Sequence, residues 1–292
     1  VSITASGDTG VFRALAKLSR LLATDGLSAA NLSEFPDVCF RGVIEGFYGT
    51  AWSHEFRLDL LKFMGQTGLN TFIYAPKDDA KLRSQWRKLY TEKELEKLSR
   101  LADTAAKYKV KFVYAISPGL DIDLGSGYQA DREILFEKCE SMYAIGIRNF
   151  AILLDDIPTL NAEGHARLLN DFQTLFAETH EGTEDLIAIT PEFCQAMVTS
   201  YTDSLAPLLN EKITMMWTGN GVLSETVSPR DLKSINEKLG RKVLIWWNYP
   251  VNDYMEDKLA LGPIENLPQH SKIPAIFFNP MKYEQLSKIA LA

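Results

Sequence analysis

Two adjacent carboxyl groups, Asp155 and Asp156, directly follow an apolar run, NFAILL at residues 149–154. Near-continuous apolarity is typical of a strand buried on both faces. Two carboxyls in one site can divide acid and base work, because each disfavours the ionisation of the other. Successive side chains of a strand point to opposite faces, so both acids reach one ligand only if the chain turns after Leu154. The pair therefore predicts an acid–base site at a strand end, although either residue alone could simply cap the following helix.

Eight short apolar runs predict the strands that position this pair. They lie at residues 42–45, 71–75, 111–117, 149–154, 186–190, 213–218, 243–247 and 275–278, with stretches of helical spacing between them. Eight strand–helix units over residues 41–292 match the roughly 250 residues typical of a TIM barrel. A doubly wound sheet would instead need a glycine-rich phosphate turn after its first strand, and EGFYGT lacks the G-x-G-x-x-G spacing. We therefore predict an α/β fold of the (β/α)8 type.

The first residues stand outside this count. VSITA predicts a strand and Phe12 to Leu22 a helix, and such a pair does not make a domain by itself. We expect residues 1–36 to be the truncated tail of a preceding α/β domain and residues 37–292 to form the barrel.

Active sites of this fold lie on the loops that follow the carboxyl ends of the strands. The predicted strand ends carry Glu45-Gly46-Phe47-Tyr48, Lys77-Asp78-Asp79, Asp155-Asp156, Glu192-Phe193, Thr218-Gly219-Asn220, Asn248-Tyr249 with Asp253 nearby, and Asn279. Such a cup suits a neutral ligand with many hydroxyls, such as a sugar, because aromatic faces stack on the ring while amides and carboxylates bind the hydroxyls.

Plainer interpretations stay open for several of these residues. Lys77 could pair with Asp78 or Asp79, and loop asparagines often bind only the backbone. Trp246 and Trp247 end an apolar run and so favour the core, although one of them can still line the cup.

Composition excludes other classes of function. The net charge is −7, and no Lys/Arg cluster alternates with aromatic residues, so nucleic acid is not expected as a partner. No apolar run reaches the roughly 18 residues of a membrane helix. The three cysteines have no metal-like spacing and predict buried free thiols. The histidines, His54, His165, His180 and His270, fall at helix starts or in connections, which argues against a metal-dependent barrel hydrolase.

Six ordered motifs carry a resemblance to a known family. They are RGVIEGFYGTAWSHEFRLDLLKFMGQTGLNTFIYAPKDD, YAISPGLDI, FAILLDDI, MWTGNGV, WWNYPVNDY with KLALGP, and NPM. Together they resemble the O-GlcNAcase family, glycoside hydrolase family 84, and GDTGVFRALAKLSRLL resembles the last helix of the domain that precedes the barrel there. The resemblance implies removal of β-linked N-acetylglucosamine from glycoproteins or glycoconjugates, with retention at the anomeric carbon and without a cofactor or metal.

The resemblance also implies roles for individual residues. Neighbouring carboxyls do not easily bracket an anomeric carbon as a retaining acid–nucleophile pair must, and in this family the substrate's own 2-acetamido oxygen attacks to form an oxazoline. Asp155 would hold and polarise the acetamide N–H, and Asp156 would be the general acid and later the base, keeping its proton beside the Asp155 anion. The sugar would meet the carbonyl of Gly46, Lys77 near the 3-hydroxyl, Asn248 at the acetamide, Asp253 at the 4- and 6-hydroxyls, Asn279 at a further hydroxyl, and Trp246 in the wall.

One position departs from the family pattern. Phe193 stands where the family usually has a tyrosine, and the missing hydroxyl keeps open a catalytically weakened pseudo-enzyme that binds N-acetylglucosamine. A metal-free lyase or aldolase using Lys77 is a third alternative, disfavoured because an aldolase lysine lies among apolar groups rather than beside two acids.

Overall fold

Eight parallel strands close into a barrel in chain order in the computed structural model, which describes residues 1–24, 31–268 and 272–291. The first strand pairs with the second and the eighth. The strands are β1 (Phe40–Ile44), β2 (Thr71–Tyr74), β3 (Lys111–Ile116), β4 (Asn149–Leu153), β5 (Ile187–Ile189), β6 (Thr214–Trp217), β7 (Leu244–Trp247) and β8 (Ala275–Phe278). The predicted (β/α)8 barrel is confirmed.

The α-helices lie before the first strand, in the connections and after the last strand. They are α1 (Asp8–Thr24), α2 (His54–Thr67), α3 (Glu92–Lys107), α4 (Tyr128–Ala144), α5 (Ala162–Asp171), α6 (Ser200–Leu205), α7 (Pro229–Leu239) and α8 (Glu284–Leu291). Polar side chains fix where several of them begin: Ser53 accepts a hydrogen bond from the amide of Phe56 ahead of α2, and Ser228 with Asp231 forms a capping box on α7. Across the described residues, no helix has both the length and the apolarity needed to cross a membrane.

The strands are apolar on both faces because each face has its own core. Side chains such as Ile73, Val113 and Leu153 fill the barrel interior, whereas neighbours such as Phe72 and Phe150 pack outward against the helices. The alternation separates the two tryptophans of β7, since Trp246 belongs to the inner cluster and Trp247 to the outer one. Near-continuous apolar runs in the sequence are therefore the signature of two cores meeting at one sheet.

Arg13 ties helix α1 to the barrel. The Arg13 guanidinium donates to the backbone carbonyls of Gly65, Leu69 (3.1 Å) and Lys109 (2.9 Å), at the ends of α2 and α3. Burial lowers the pKa of Arg13 to about 10, so the side chain stays charged near neutral pH. The predicted helix at 12–22 is confirmed, whereas the assignment of residues 1–36 to a separate domain stays a prediction.

Three expectations about local structure are wrong. Residues 1–5 form no strand, since a barrel closed by pairing of the first and last strands offers no free edge. In the described parts of the β7–β8 connection there is no α-helix, because prolines at 250, 263, 268 and 274 interrupt helical periodicity. Cys39 is exposed just before β1, whereas Cys139 and Cys194 are buried as expected.

Candidate active site

The chain turns directly after β4, where the two adjacent acids lie. Asp156 adopts a left-handed backbone with φ of 54°, a conformation that few residues other than glycine tolerate and that aspartate visits more readily than most. Asp155 is consequently buried at 6% exposure, whereas Asp156 is exposed. One turn therefore gives two consecutive carboxylates different surroundings.

Asp155 forms a buried ion pair with Lys77. Lys77 Nζ lies 2.5 Å from Asp155 Oδ2, and the two side chains are only 2% and 7% exposed. The pairing of Lys77 with Asp78 or Asp79 that we considered is therefore wrong. Asp155 Oδ1 is buried, and among the described residues it has no hydrogen-bond donor. A buried carboxylate oxygen without a donor costs free energy, so this atom is where an N–H group of a ligand would be stabilising.

Asp156 is contacted by Tyr48 and Arg83. Asp156 Oδ2 accepts a hydrogen bond of 2.7 Å from the Tyr48 hydroxyl. Arg83 donates through Nη1 to that hydroxyl at 2.9 Å and through Nη2 to the backbone carbonyl of Asp156 at 3.1 Å. Burial, followed by the hydrogen bond to Asp156, raises the pKa of Tyr48 above its ordinary value, so this hydroxyl remains a donor at neutral pH.

Two asparagines connect the ends of β1, β7 and β8. Asn248 Oδ1 accepts from Trp246 Nε1 at 2.8 Å and from Asn279 Nδ2 at 2.9 Å, while Asn248 Nδ2 donates to the carbonyl of Val222 at 2.7 Å. Asn279 Oδ1 in turn accepts from the amide of Gly46 at 3.2 Å. The network fixes the indole and both amide groups against the loop after β1.

Asp253 reaches the same loop from the β7–β8 connection. Its Oδ2 accepts a hydrogen bond of 2.7 Å from the backbone amide of Tyr48. The loop after β1 is therefore tied to three other loops, through Asn279, Asp253 and Asp156.

One cavity collects nearly all of the predicted site residues. Its lining includes eight of the nine: Gly46, Asp155, Asp156, Phe193, Trp246, Asn248, Asp253 and Asn279. The ninth, Lys77, is not part of the lining but contacts Asp155, which is. The residues named from sequence are thus brought together at the carboxyl ends of the strands, where the barrel fold puts its chemistry.

A model of the beta-N-acetylglucosaminidase family matches residues 41–292. The chain belongs to this family. Over 235 residues it is 33% identical to the Protein O-GlcNAcase of Rattus norvegicus, and the match covers 76% of this chain and 25% of that protein. Protein O-GlcNAcase of Mus musculus matches equally, at 33% identity over 235 residues. The chain thus spans about a quarter of the length of these curated relatives.

Solved structures agree with this assignment. The structure of CpGH84B superposes with a TM-score of 0.85 at 43% identity, covering 87% of this chain and 47% of that one. A mutant of the Thermobaculum terrenum O-GlcNAc hydrolase superposes with a TM-score of 0.83 at 31% identity, covering 88% of this chain and 58% of that one. The expected membership of the O-GlcNAcase family and the expected barrel are confirmed.

The sequence interpretation assigned no role to several residues of this cavity. Tyr48 lies in the loop after β1, and its position at a strand end was a signal that it faces the site. Arg83 gave no signal, because it lies in a long connection without periodicity and is brought to the site only by the fold. An apolar side of the cavity was also missed; it is formed by Val222, Leu223, Val251 and Tyr254.

Two acids at strand ends do not serve the cavity, contrary to expectation. Glu45 is fully buried and pairs with Arg57, whose Nε and Nη2 both lie 2.7 Å from its oxygens. Glu192 accepts hydrogen bonds from the backbone amides and hydroxyls of Thr199 and Thr202 at the start of α6. Burial alone would raise the pKa of Glu192, but these hydrogen bonds outweigh it and lower that pKa. Both residues stabilise the scaffold of the family barrel.

The histidines lie away from this site where they are described. His54 begins α2, His165 lies within α5 and His180 follows a 3₁₀ turn after α5, whereas His270 falls outside the described residues. In the described ranges, no group of three or more His, Cys, Asp or Glu side chains is arranged to hold a metal ion.

Proposed function

We propose that the chain is the catalytic part of a retaining β-N-acetylglucosaminidase that removes β-linked N-acetylglucosamine from glycoproteins or glycoconjugates by substrate-assisted catalysis. Its main support is the buried Oδ1 of Asp155, which has no donor among the described residues. A 2-acetamido N–H would supply that donor. The Lys77 ammonium at the other oxygen offsets the charge of an anionic Asp155, so this carboxylate is equipped to accept an N–H rather than to give up a proton.

In the first step the acetamide oxygen attacks the anomeric carbon while the bond to the leaving oxygen breaks. Asp155 accepts the acetamide N–H, which increases the electron density on that oxygen and stabilises the positive charge that develops on the ring. Asp156 gives its proton to the leaving oxygen. The products of this step are the free aglycone and an N-protonated oxazoline, whose N–H stays hydrogen-bonded to the Asp155 carboxylate, with Asp156 left as the carboxylate.

In the second step Asp156 takes a proton from water, whose oxygen attacks the anomeric carbon and opens the oxazoline. The two displacements together retain the configuration, and Asp156 ends as it began. Its exposure supports this role, because a group that first gives and then takes a proton needs access to the incoming water.

The remaining predicted residues suit the sugar in this scheme. The Trp246 indole is 4% exposed and lines the cavity, where an apolar face can pack against the ring. Asn248 and Asn279 share one hydrogen-bond network in the cavity lining; in this scheme Asn248 would bind the acetamide and Asn279 a hydroxyl. Gly46 and Asp253 complete the hydroxyl contacts.

Phe193 favours a second candidate, a binding protein with weakened turnover. Its ring is 5% exposed and lies in the cavity wall without a hydroxyl to donate. Such a protein would bind N-acetylglucosamine and release it unchanged.

Hydrolysis of an aryl N-acetyl-β-glucosaminide, followed by NMR of the first anomer released, tests the proposal. We expect the β-anomer first. We also expect a thiazoline mimic of the oxazoline to bind at least about 10²-fold more tightly than N-acetylglucosamine, as transition-state mimics do. Mass-spectrometric capture of a covalent glycosyl-enzyme would refute substrate assistance, and tight thiazoline binding without hydrolysis would favour the binding protein.

A further inference from the structure

We propose that Arg83 is a positioning residue for Asp156, acting through the Tyr48 hydroxyl and through the backbone carbonyl of Asp156. The inference rests on the proposed role of Asp156 as the general acid. It concerns a residue that no sequence motif singled out and that supplies a charge beside the acid without touching its carboxyl group.

The contacts of Arg83 are directed to the surroundings of this one acid. Its two terminal nitrogens bind the Tyr48 hydroxyl at 2.9 Å and the Asp156 carbonyl at 3.1 Å, and its Cζ lies 5.5 Å from the centre of the Tyr48 ring. Within the described parts of the chain, no carboxylate forms an ion pair with this guanidinium. Its planar, rigid pair of donors is therefore available to hold the Tyr48 hydroxyl and the backbone of Asp156 in fixed positions.

The chemistry of the three groups sets the direction of each hydrogen bond. Arg83 has only donors, so it occupies an acceptor position on the Tyr48 oxygen and leaves the hydroxyl hydrogen for Asp156 Oδ2. Because Oδ2 receives that hydrogen, the acidic proton is carried on Oδ1. Asp156 Oδ1 has no hydrogen-bond partner in the described residues, so it is the oxygen available to a leaving group.

The second contact acts on the backbone. Asp156 has a φ of 54°, a left-handed conformation that is costly for a residue with a side chain and persists only where its surroundings hold it. The Arg83 donor on the carbonyl of the same residue restrains the peptide that sets the direction of the carboxyl. Arg83 thus favours the arrangement in which Oδ1 carries the proton, and it restrains the direction in which that oxygen points.

Loss of Arg83 should impair proton transfer to the leaving oxygen more than it impairs acetamide attack. We expect Arg83→Met to lower kcat/KM by about tenfold for alkyl leaving groups, a part of the 10² to 10⁴ typical of general acid catalysis, and to change activated aryl substrates little. Arg83→Lys should recover part of the loss, since it keeps the charge but not the pair of donors.

The experiment measures kcat/KM against leaving-group pKa and against pH, in wild-type and Asp156→Asn backgrounds. Arg83→Met should steepen the leaving-group dependence and shift the pH profile in the wild type, yet add no further loss to Asp156→Asn, because both changes disable one function. Tyr48→Phe should give the same pattern. The control is Arg87→Met, on the same segment, which removes ion pairs to Asp121 and Asp131 and touches no site residue.

The possible results distinguish failure of the role of Arg83 from failure of the proposed general acid. An Arg83→Met line parallel to wild type, a loss that adds fully to Asp156→Asn, or the same pattern in Arg87→Met overturns the role of Arg83. If the Asp156→Asn line itself stays parallel to wild type, the proposed general acid is wrong. A steep Asp156→Asn line with an unchanged Arg83→Met line defeats this inference alone.

Discussion

Trp246 packs so closely over Gly46 that a Cβ atom built on Gly46 would lie 2.4 Å from Cζ2 of the indole. Real Cβ atoms do not approach a ring so closely, so only glycine fits beneath this tryptophan. The contact holds the loop after β1 against the end of β7. It also holds the indole where Nε1 can donate to Asn248.

Gly46→Ala should therefore displace Trp246 from its position in the cavity wall. The indole must shift, and we expect kcat/KM to fall by up to about 10², the scale of a displacement of about 1 Å in a site. Overpacking should also cost about 1 to 3 kcal/mol in the free energy of unfolding. Kinetics with an aryl substrate and urea unfolding measure the two effects. Gly221→Ala is the control, because its Cβ would meet only the Leu223 carbonyl at 3.5 Å; equal losses in both variants would contradict the steric cause.

The two acids should differ in how they depend on the leaving group. Asp156→Asn should cripple substrates with alkyl or serine-like leaving groups and spare activated aryl glycosides in the first step, because an acidic phenol departs without a proton. Asp155→Asn should slow both classes, since acetamide attack is required whatever departs. Plots of log kcat/KM against leaving-group pKa check this: only the Asp156 line should steepen, and a steeper Asp155 line would reverse the two roles.

Phe193→Tyr should raise the hydrolysis rate, because it adds to this wall the hydroxyl that the sequence resemblance leads us to expect there. Steady-state kinetics with an aryl substrate measures the rate. The matched control is Phe47→Tyr at a ring that is 1% exposed and packs outside the barrel interior. There the added hydroxyl would be buried, and we expect no gain in rate but a decrease of about 1 to 3 kcal/mol in the free energy of unfolding. A Phe193→Tyr rate at or below wild type would show that the loop after β5 is shaped differently from that of the relatives.

Stability should depend on pH through a buried lysine of α4. Lys138 is fully buried, and its Nζ donates to the carbonyls of Trp86 (2.7 Å) and Lys88. Burial lowers the pKa of Lys138 from its ordinary 10.5 to about 8. Between these values the unfolded chain binds more protons than the folded one, so the contribution of Lys138 to stability rises with pH and is lost as pH falls through about 8.

Comparison with Lys138→Met isolates this group from the others that titrate at high pH. The free energy of unfolding of the wild type minus that of the variant should increase from pH about 8 to about 10.5. Urea unfolding at a series of pH values gives the difference. A flat or falling difference across that range would mean that Lys138 keeps its proton in the folded protein.

The strands of the barrel could be predicted from sequence because the barrel interior and the layer beneath the helices both require apolar side chains. The run at 275–278 coincides with β8, and the run at 71–75 exceeds β2 by one residue. The adjacent acids were informative for the same reason, because a polar pair directly after such a run has to lie at the end of a strand. Sequence therefore indicated eight of the residues that line the cavity.

Orientation and long-range pairing could not be predicted in the same way. Glu45 is the first residue after β1 and Gly46 is the second. The Glu45 side chain turns away from the cavity and pairs with Arg57, whereas Gly46 lines the cavity. Arg83 lies six positions beyond Lys77 in a connection whose path depends on contacts with distant elements. Such contacts are decided by the packed fold and leave no local pattern in the residues themselves.

Both cations beside the two acids come from one connection, the segment between β2 and α3. Lys77 reaches Asp155 and Arg83 reaches the surroundings of Asp156, while Lys138 of α4 holds the same connection by two carbonyls. A displacement of this segment would remove the counter-charge from the acetamide-binding carboxylate and the support from the proton donor together. Activity would then be lost in a single step, because two chemically separate tasks depend on the same short piece of backbone.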